Sequence, residues 1–189
     1  MTSTNITPLI ANRRSPRAFD RKRNLSTEEL SYLLEAARWA PSANNIQPWR
    51  FIVGQKGDET HQKIAATLAS GNRLWAEHAP VLLLAVAQEE GERGKQNYAW
   101  HDLGLATTQM ILQASAMKLY AHIMAGFSKD DARTAFNIPL EYAPLTIIAI
   151  GFLGDENILP KNLQEREKAP RMRKPLDEIA FKNKWGEAW

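Results

Sequence analysis

Apolar residues recur at helical spacing early in the chain and later gather into unbroken runs of strand length. Leu30, Leu33, Leu34 and Ala37 stand three and four residues apart, which predicts a helix. Ser26-Thr27-Glu28-Glu29 opens it as a capping box, Ser26 and Glu29 each satisfying a backbone N–H of the other. The helix is expected to stop near Trp39–Pro41. Thr7-Pro8 reads as an earlier helix start, with Thr7 as N-cap and Pro8 in the first helical position. That short helix runs to Arg13–Arg17, where Pro16 and its restriction of Ser15 predict a loop. Trp49-Arg50-Phe51-Ile52-Val53, aromatic and β-branched, predicts a strand. Asp58–Ala69 fits a helix that ends at Gly71.

Val81–Ala87 is continuous and short, the signature of a buried central strand. Gln88–Asn97 is charged and contains glycine, which predicts a surface loop. Tyr98–Tyr120 reads as one long helix, apolar almost all round through Trp100, Leu103, Leu105, Met110, Ile111, Leu112 and Met117. Such a helix is buried on most sides, and in a chain this small it points to a subunit interface. Ser128–Phe136 predicts a further helix, with Ser128 as cap and Asp131 in a capping-box position. Leu145–Ile150 is another apolar strand, ended by Gly151. Leu153–Pro170 is polar and poorly patterned. Leu176–Trp189 carries Ile179, Phe181, Trp185 and Trp189, too few apolar residues to fold alone. Strands and helices do not alternate evenly, so the class is α+β rather than a doubly wound sheet.

Composition narrows the function classes. At 189 residues and 44% hydrophobic, the chain fits one domain with a real core. The absence of cysteine removes disulfides, thiolate nucleophiles and Cys-based metal sites. His61, His78, His101 and His122 show no metal-ligand spacing. His101-Asp102 has the residue types of a base, although a position inside an apolar helix favours a structural role. The net charge is +3, a weak overall field, so local clusters matter more than the sum. The longest apolar stretch, Ala79–Ala87, is far below the ~20 residues of a membrane helix, and Met1–Pro8 has no secretory pattern. A soluble cytoplasmic protein is expected, with neither membrane nor nucleic acid as partner.

Three polar clusters carry the candidate chemistry. Arg13-Arg14-Ser15-Pro16-Arg17 and Arg171-Met172-Arg173-Lys174 concentrate arginine, whose planar fork binds phosphate bidentately and stays charged. Pro41-Ser42-Ala43-Asn44-Asn45-Ile46-Gln47-Pro48-Trp49 supplies side-chain amides that both donate and accept, between prolines that fix the backbone. Read alone, the arginine run is also a solvated or nucleic-acid-binding face, and the amide run is also a turn before a strand. No G-x-G-x-x-G and no Walker A motif is present.

Together, and in this order, the clusters resemble the nitroreductase family of FMN-dependent oxidoreductases, from about Asn12 to Trp185. The most specific match is Pro41, Ser42, Asn45, Gln47, Pro48 and Trp49, in the pattern P-S-x-x-N-x-Q-P-W. The resemblance implies a central, mostly antiparallel sheet flanked by helices in an intertwined homodimer. It makes residues 1–189 one FMN-binding domain, with 176–189 as a C-terminal arm docking on the partner subunit. It places Arg13, Arg171 and Arg173 at the FMN phosphate, Ser15 near the ribityl chain or ring edge, and Arg17 beside the flavin N1–O2 edge. A cation there favours reduced anionic flavin. Arg14, Pro41, Ser42, Ala43, Asn45 and Gln47 join the cofactor-binding set, as does Asn72, which reads equally as a cap beside Gly71. The resemblance also sets Met124, Ala125 and Gly126 by the ring, with backbone N–H groups near N5 and O4, a segment that local sequence reads equally as a helix-to-loop turn. Relatives often carry a basic residue where this chain has Trp75.

The activity implied is hydride transfer from NADPH or NADH to flavin N5, and then to a nitroaromatic, quinone or similar small acceptor. No protein group serves as nucleophile or metal ligand. Reductive dehalogenation, flavin cleavage and ring oxidation belong to relatives and stay open, as does a flavin carrier without catalysis. A nucleic-acid-binding module is the reading from a different class. It rests on the six basic residues of Arg13–Arg23 and the six tryptophans.

Overall fold

The structure, a computed structural model, describes residues 6–92 and 94–189. The Met1–Pro8 reading falls largely outside them. The chain forms two compact units, one ending at Leu159 and the other spanning Pro160–Trp189.

The first unit is α+β. Its sheet has the order β1-β2-β6-β5, made of β1 (Trp49–Gln55), β2 (Val81–Gln88), β6 (Tyr142–Gly151) and β5 (Tyr120–Met124). Every neighbouring pair is antiparallel. Strand β2 sits inside and is covered on both faces, which explains its unbroken apolar run. Val81, Leu83, Ala85 and Ala87 pack with α2 (Thr27–Arg38) and α5 (Ala99–Ala116) through Leu30, Leu33, Leu103 and Met110. Its alternate residues Leu82, Leu84 and Val86 are also buried, and α3 (Glu59–Thr67) crosses β1 and β2. Next to α3 lies α6 (Lys129–Phe136).

Local signals set most boundaries. The capping box at Ser26 forms with both of its hydrogen bonds. Helix α1 (Pro8–Ala11) has Pro8 in its first turn, but Thr7 makes no side-chain cap. Ser128 caps α6 through the Asp131 N–H, while its own N–H donates to the Thr67 carbonyl, so no capping box closes there.

Three expectations are corrected. The helix opened by Asp58 does not reach Gly71. Leu68 is extended, and a separate helix, α4 (Ser70–Ala76), contains Gly71 and Asn72. The helix expected over Tyr98–Tyr120 stops at Ala116, and β5 follows. Its end is a Schellman motif, with Lys118 N–H on Ser115 O and Leu119 N–H on Ala114 O. The left-handed residue there is Lys118, at φ 59°, where glycine is usual, so nothing in the sequence marked the stop. Helix α5 is also not buried on most sides of this chain: Trp100 is exposed, and Leu105 and Leu112 are half-buried. Within 88–97, β3 (Glu90–Gly91) and β4 (Gly94–Lys95) form a small hairpin.

The second unit contains α7 (Lys161–Lys168), in a stretch where no helix was expected. Its end closes on itself: Phe181 bridges Ala188, Trp189 N–H donates to Ala180 O, and the Phe181 and Trp185 rings lie 5.0 Å apart. Met172, Leu176, Ile179, Trp185 and Trp189 are all exposed. Among the described residues, no helix is long and apolar enough to cross a membrane.

Candidate functional site

The Arg13–Arg17 loop is shaped from below by a buried aromatic pair. Pro16 and Ala18 are buried, which fixes the backbone on either side of half-buried Arg17. The Pro16 carbonyl accepts a hydrogen bond from His122 Nδ1 of β5 at 3.0 Å, so that nitrogen carries the proton. The His122 ring lies 4.6 Å from Trp75 of α4, and Trp75 lies 6.2 Å from Phe19. Trp75 is only 2% exposed, so its indole is a core anchor for the loop rather than a surface group. Beyond the loop, Asp20 N–H donates to Phe152 O and Gly154 N–H to Ala18 O, pairing the chain with the end of β6. Above this support Arg13 Nη1 donates to Ser15 Oγ at 3.0 Å, and Arg14 is exposed.

A second crossing joins Asn72 to the Met124–Gly126 segment. Asn72 Nδ2 donates to Gly126 O at 3.0 Å, and Ala69 N–H donates to the same carbonyl at 3.1 Å. A Cβ on Gly126 would stand 2.6 Å from Asn72 Nδ2, so only glycine allows this approach. Leu68 and Phe127 form an isolated bridge beside it. Met124 is buried at the end of β5, whereas Ala125 is exposed. Through Trp75 and His122, α4 and β5 join this crossing to the arginine loop. Arg13–Arg17, Asn72 and Met124–Gly126 thus share one region of the first unit.

The Pro41–Trp49 segment is anchored elsewhere, on α5. It contains a single 3-10 turn, Ala43–Asn45, followed by a tight exit. Asn44, Asn45 and Gln47 all have left-handed φ, at 51°, 53° and 54°. Asn tolerates that region, while Gln47 adds strain of roughly 1–3 kcal/mol. Two bonds hold the shape: Gln47 N–H donates to Ser42 Oγ at 3.0 Å, and Ala43 N–H donates to Asp102 Oδ2 at 3.0 Å. Gln47 Nε2 in turn donates to the Asn45 carbonyl and side-chain oxygens. Pro48 and Trp49 are buried, while Asn44 and Asn45 are exposed.

Arg171 and Arg173 belong to the second unit, where both are exposed, and Arg173 Nη1 donates to the carbonyl of Met172. His122 and Asp102 were not in the expected site. The first had no local signal, because its role depends on Pro16, 106 residues away. The second was read as structural from its apolar helix, yet the buried carboxylate is aimed at the amide-rich loop. Among the described residues no group of three His, Asp or Glu side chains is placed to hold a metal ion. One region of the first unit thus offers the guanidinium groups of the Arg13–Arg17 loop, the Asn72 amide and a closely approached backbone at Gly126, while the amide-rich Pro41–Trp49 loop is held separately on α5.

Comparison with known proteins agrees with this. The model of the nitroreductase family matches residues 10–152. A solved structure described as an oxidoreductase containing FMN is 36% identical with TM-score 0.92, the match covering 98% of this chain and 95% of that one. An uncharacterized 15.4 kDa protein of Mycolicibacterium smegmatis is 36% identical over 145 residues, covering 72% of this chain and 97% of that protein. YodC of Bacillus subtilis, provisionally named an NAD(P)H nitroreductase, is 27% identical over 180 residues, covering 78% and 89%. The chain belongs to the nitroreductase family, and it is an enzyme of nitroreductase type.

Proposed function

We propose that this enzyme is an FMN-dependent oxidoreductase that passes hydride from NADPH or NADH to a small oxidised acceptor such as a nitroaromatic or a quinone. The observation that carries the reading is the joining of the Arg13–Arg17 loop to the Asn72–Gly126 crossing through His122 and Trp75. Its guanidinium forks match a dianionic phosphate, and the amides of the separately anchored Pro41–Trp49 segment match the mixed donors and acceptors of a pyrimidine edge. The FMN of the 36% identical structure and the NAD(P)H nitroreductase name given to YodC support the same assignment.

Bound FMN supplies a reversible two-electron carrier whose N5 accepts and returns hydride. The chain binds and orients it. In the first unit Arg13 would hold the phosphate, its fork oriented by Ser15; Arg171 and Arg173 are the phosphate candidates of the second unit. Arg17 sets positive charge at the N1–O2 edge, where Trp75 contributes none. Gly126, lacking a Cβ, lets the 124–126 backbone come close to the ring. Ser42, Asn45 and Gln47 present polar groups from a backbone fixed by Pro41 and Pro48. The homodimer is part of the reading: exposed Trp100 and half-buried Leu105 and Leu112 on α5 gain cover, and the exposed 176–189 arm docks on the partner subunit. The whole chain then acts as one domain of a cytoplasmic enzyme.

The test is the absorbance spectrum of the purified protein, with mass analysis of any released chromophore. A flavin spectrum, FMN mass and anaerobic bleaching by NADPH or NADH are expected. Protein that is colourless and takes up no added FMN would overturn the reading. A flavoprotein that fails to oxidise either nicotinamide would move it to the dehalogenating or ring-oxidising branches.

A further inference from the structure

Asp102 is the most deeply buried acidic residue of the first unit, at 3% exposure, and the proposed chemistry does not use it. A buried carboxylate is costly unless its oxygens are satisfied. Both are: Oδ2 accepts from Ala43 N–H at 3.0 Å, and Oδ1 meets Nδ1 of exposed His101 at 3.1 Å. Ala43 begins the 3-10 turn, so its N–H is one of the orphan donors that a helical start leaves unpaired. A carboxylate 59 residues away supplies the missing cap. Ser42 Oγ holds the far end of the same turn through Gln47 N–H. Between these two clamps lie the left-handed residues Asn44 and Asn45, with Gln47 at the exit. Backbone in that region persists only where its surroundings enforce it.

We infer that Asp102 is a positioning residue for cofactor binding, capping the Ala43–Asn45 turn from α5 and so holding Asn45 and Gln47 in the geometry that receives FMN. The inference rests on the FMN reading above. What Asp102 supplies is an oxygen acceptor at one backbone N–H, and its charge is secondary. Asp102→Asn keeps an acceptor for Ala43 N–H, and Asp102→Ala removes it. Ala43→Pro breaks the cap from the other side: it removes the donor, and its ring takes the place of the amide hydrogen, so the Asp102 carboxylate must swing away. Proline suits the first position of a helical turn, and Ser42, at φ −147° and ψ 157°, already has the extended backbone that a following proline requires.

The experiment titrates FMN into the apo forms of the wild type and the three variants, following flavin fluorescence, with circular dichroism as a check on folding. Amide hydrogen exchange of Ala43 is measured in the same apo proteins. Asp102→Ala and Ala43→Pro should each raise the FMN dissociation constant tenfold or more. Asp102→Asn should stay within threefold of wild type. Ala43 exchange should be at least tenfold faster in Asp102→Ala than in wild type or Asp102→Asn. A role confined to general stability would lower the melting temperature without this pattern. Wild-type affinity in folded Asp102→Ala or in Ala43→Pro overturns the inference, and so does Asp102→Asn binding as weakly as Asp102→Ala. Should Asp102→Ala not fold, Ala43→Pro decides. Wild-type protein that takes up no FMN overturns the FMN reading itself, an outcome separate from variants that bind as wild type does.

Discussion

Asn72 Nδ2 and the carbonyl oxygen of Gly126 lie 3.0 Å apart, tying α4 to the segment that follows β5. The contact depends on glycine, since a Cβ at 126 would come within 2.6 Å of that nitrogen. The obstructed atom is the end of a side chain, so the backbone has no need to move. Gly126→Ala should therefore fold, with its melting temperature changed by only a few degrees, while Asn72 swings away. If Asn72 and the 126 backbone both face the flavin, FMN affinity falls about tenfold, the equivalent of ~1.4 kcal/mol. Fluorescence titration measures this, and Asn72→Ala should show a similar loss. Wild-type affinity in both variants would remove Asn72 and Gly126 from the site.

If Arg13 and Arg171 bind the FMN phosphate as proposed, removing either guanidinium deletes a charge-assisted hydrogen bond of ~1.5–3 kcal/mol. Arg13→Ala and Arg171→Ala should each raise the FMN dissociation constant about tenfold to a hundredfold. Riboflavin, which lacks the phosphate, should bind both variants as it binds the wild type. That comparison separates phosphate recognition from damage to the ring site. Equal losses for FMN and riboflavin would mean that the arginines hold something else.

Where local chemistry alone decided a boundary, the sequence was readable. The Ser26–Glu29 box, the apolar run of β2 and the Pro41–Trp49 loop are examples. Readability failed where a distant partner or an unusual residue decided. Lys118 ends α5 in a left-handed conformation that lysine does not advertise, which hid β5. The chain turns at Leu68, which bridges Phe127 while the Ala69 N–H bonds the Gly126 carbonyl, so Gly71 looked like a helix end. The site followed the same rule. The motif segments could be named from the sequence, whereas the contacts of His122 with Pro16 and of Asp102 with Ala43 span 106 and 59 residues and leave no local signal.

Gln47 offers a trade between stability and binding. Its φ of 54° is strained for glutamine and relaxed for glycine. Gln47→Gly keeps the backbone N–H that bonds to Ser42 Oγ and loses the side chain that bonds to Asn45. Relief of left-handed strain should raise apo-protein stability by up to about 1 kcal/mol, offset in part by the greater freedom of unfolded glycine. FMN affinity should drop at the same time. Urea denaturation and flavin titration on one preparation report both quantities. A destabilised apo form would show that side-chain bonding outweighs the strain.

His61 makes folding stability depend on pH. The ring is 4% exposed under β1, with Nε2 on the Ala79 carbonyl at 2.9 Å. Burial lowers its pKa below the ordinary 6.5, against a smaller opposing effect from the Ala79 hydrogen bond. Folded protein therefore keeps His61 neutral in a range where unfolded protein protonates it. Above about pH 6.5 neither state binds the proton, and His61 contributes no pH dependence. As pH falls below that value the unfolded state gains the proton first, so stability declines until the folded pKa is reached. One proton limits the slope to about 1.4 kcal/mol per pH unit. His78, whose pKa is also lowered by burial and then by Arg21, adds to the same trend. Urea unfolding between pH 7.5 and 5 should show wild-type stability falling more steeply than that of His61→Gln, which cannot titrate. Parallel curves for the two proteins over that window would mean that His61 is protonated in the fold at no cost.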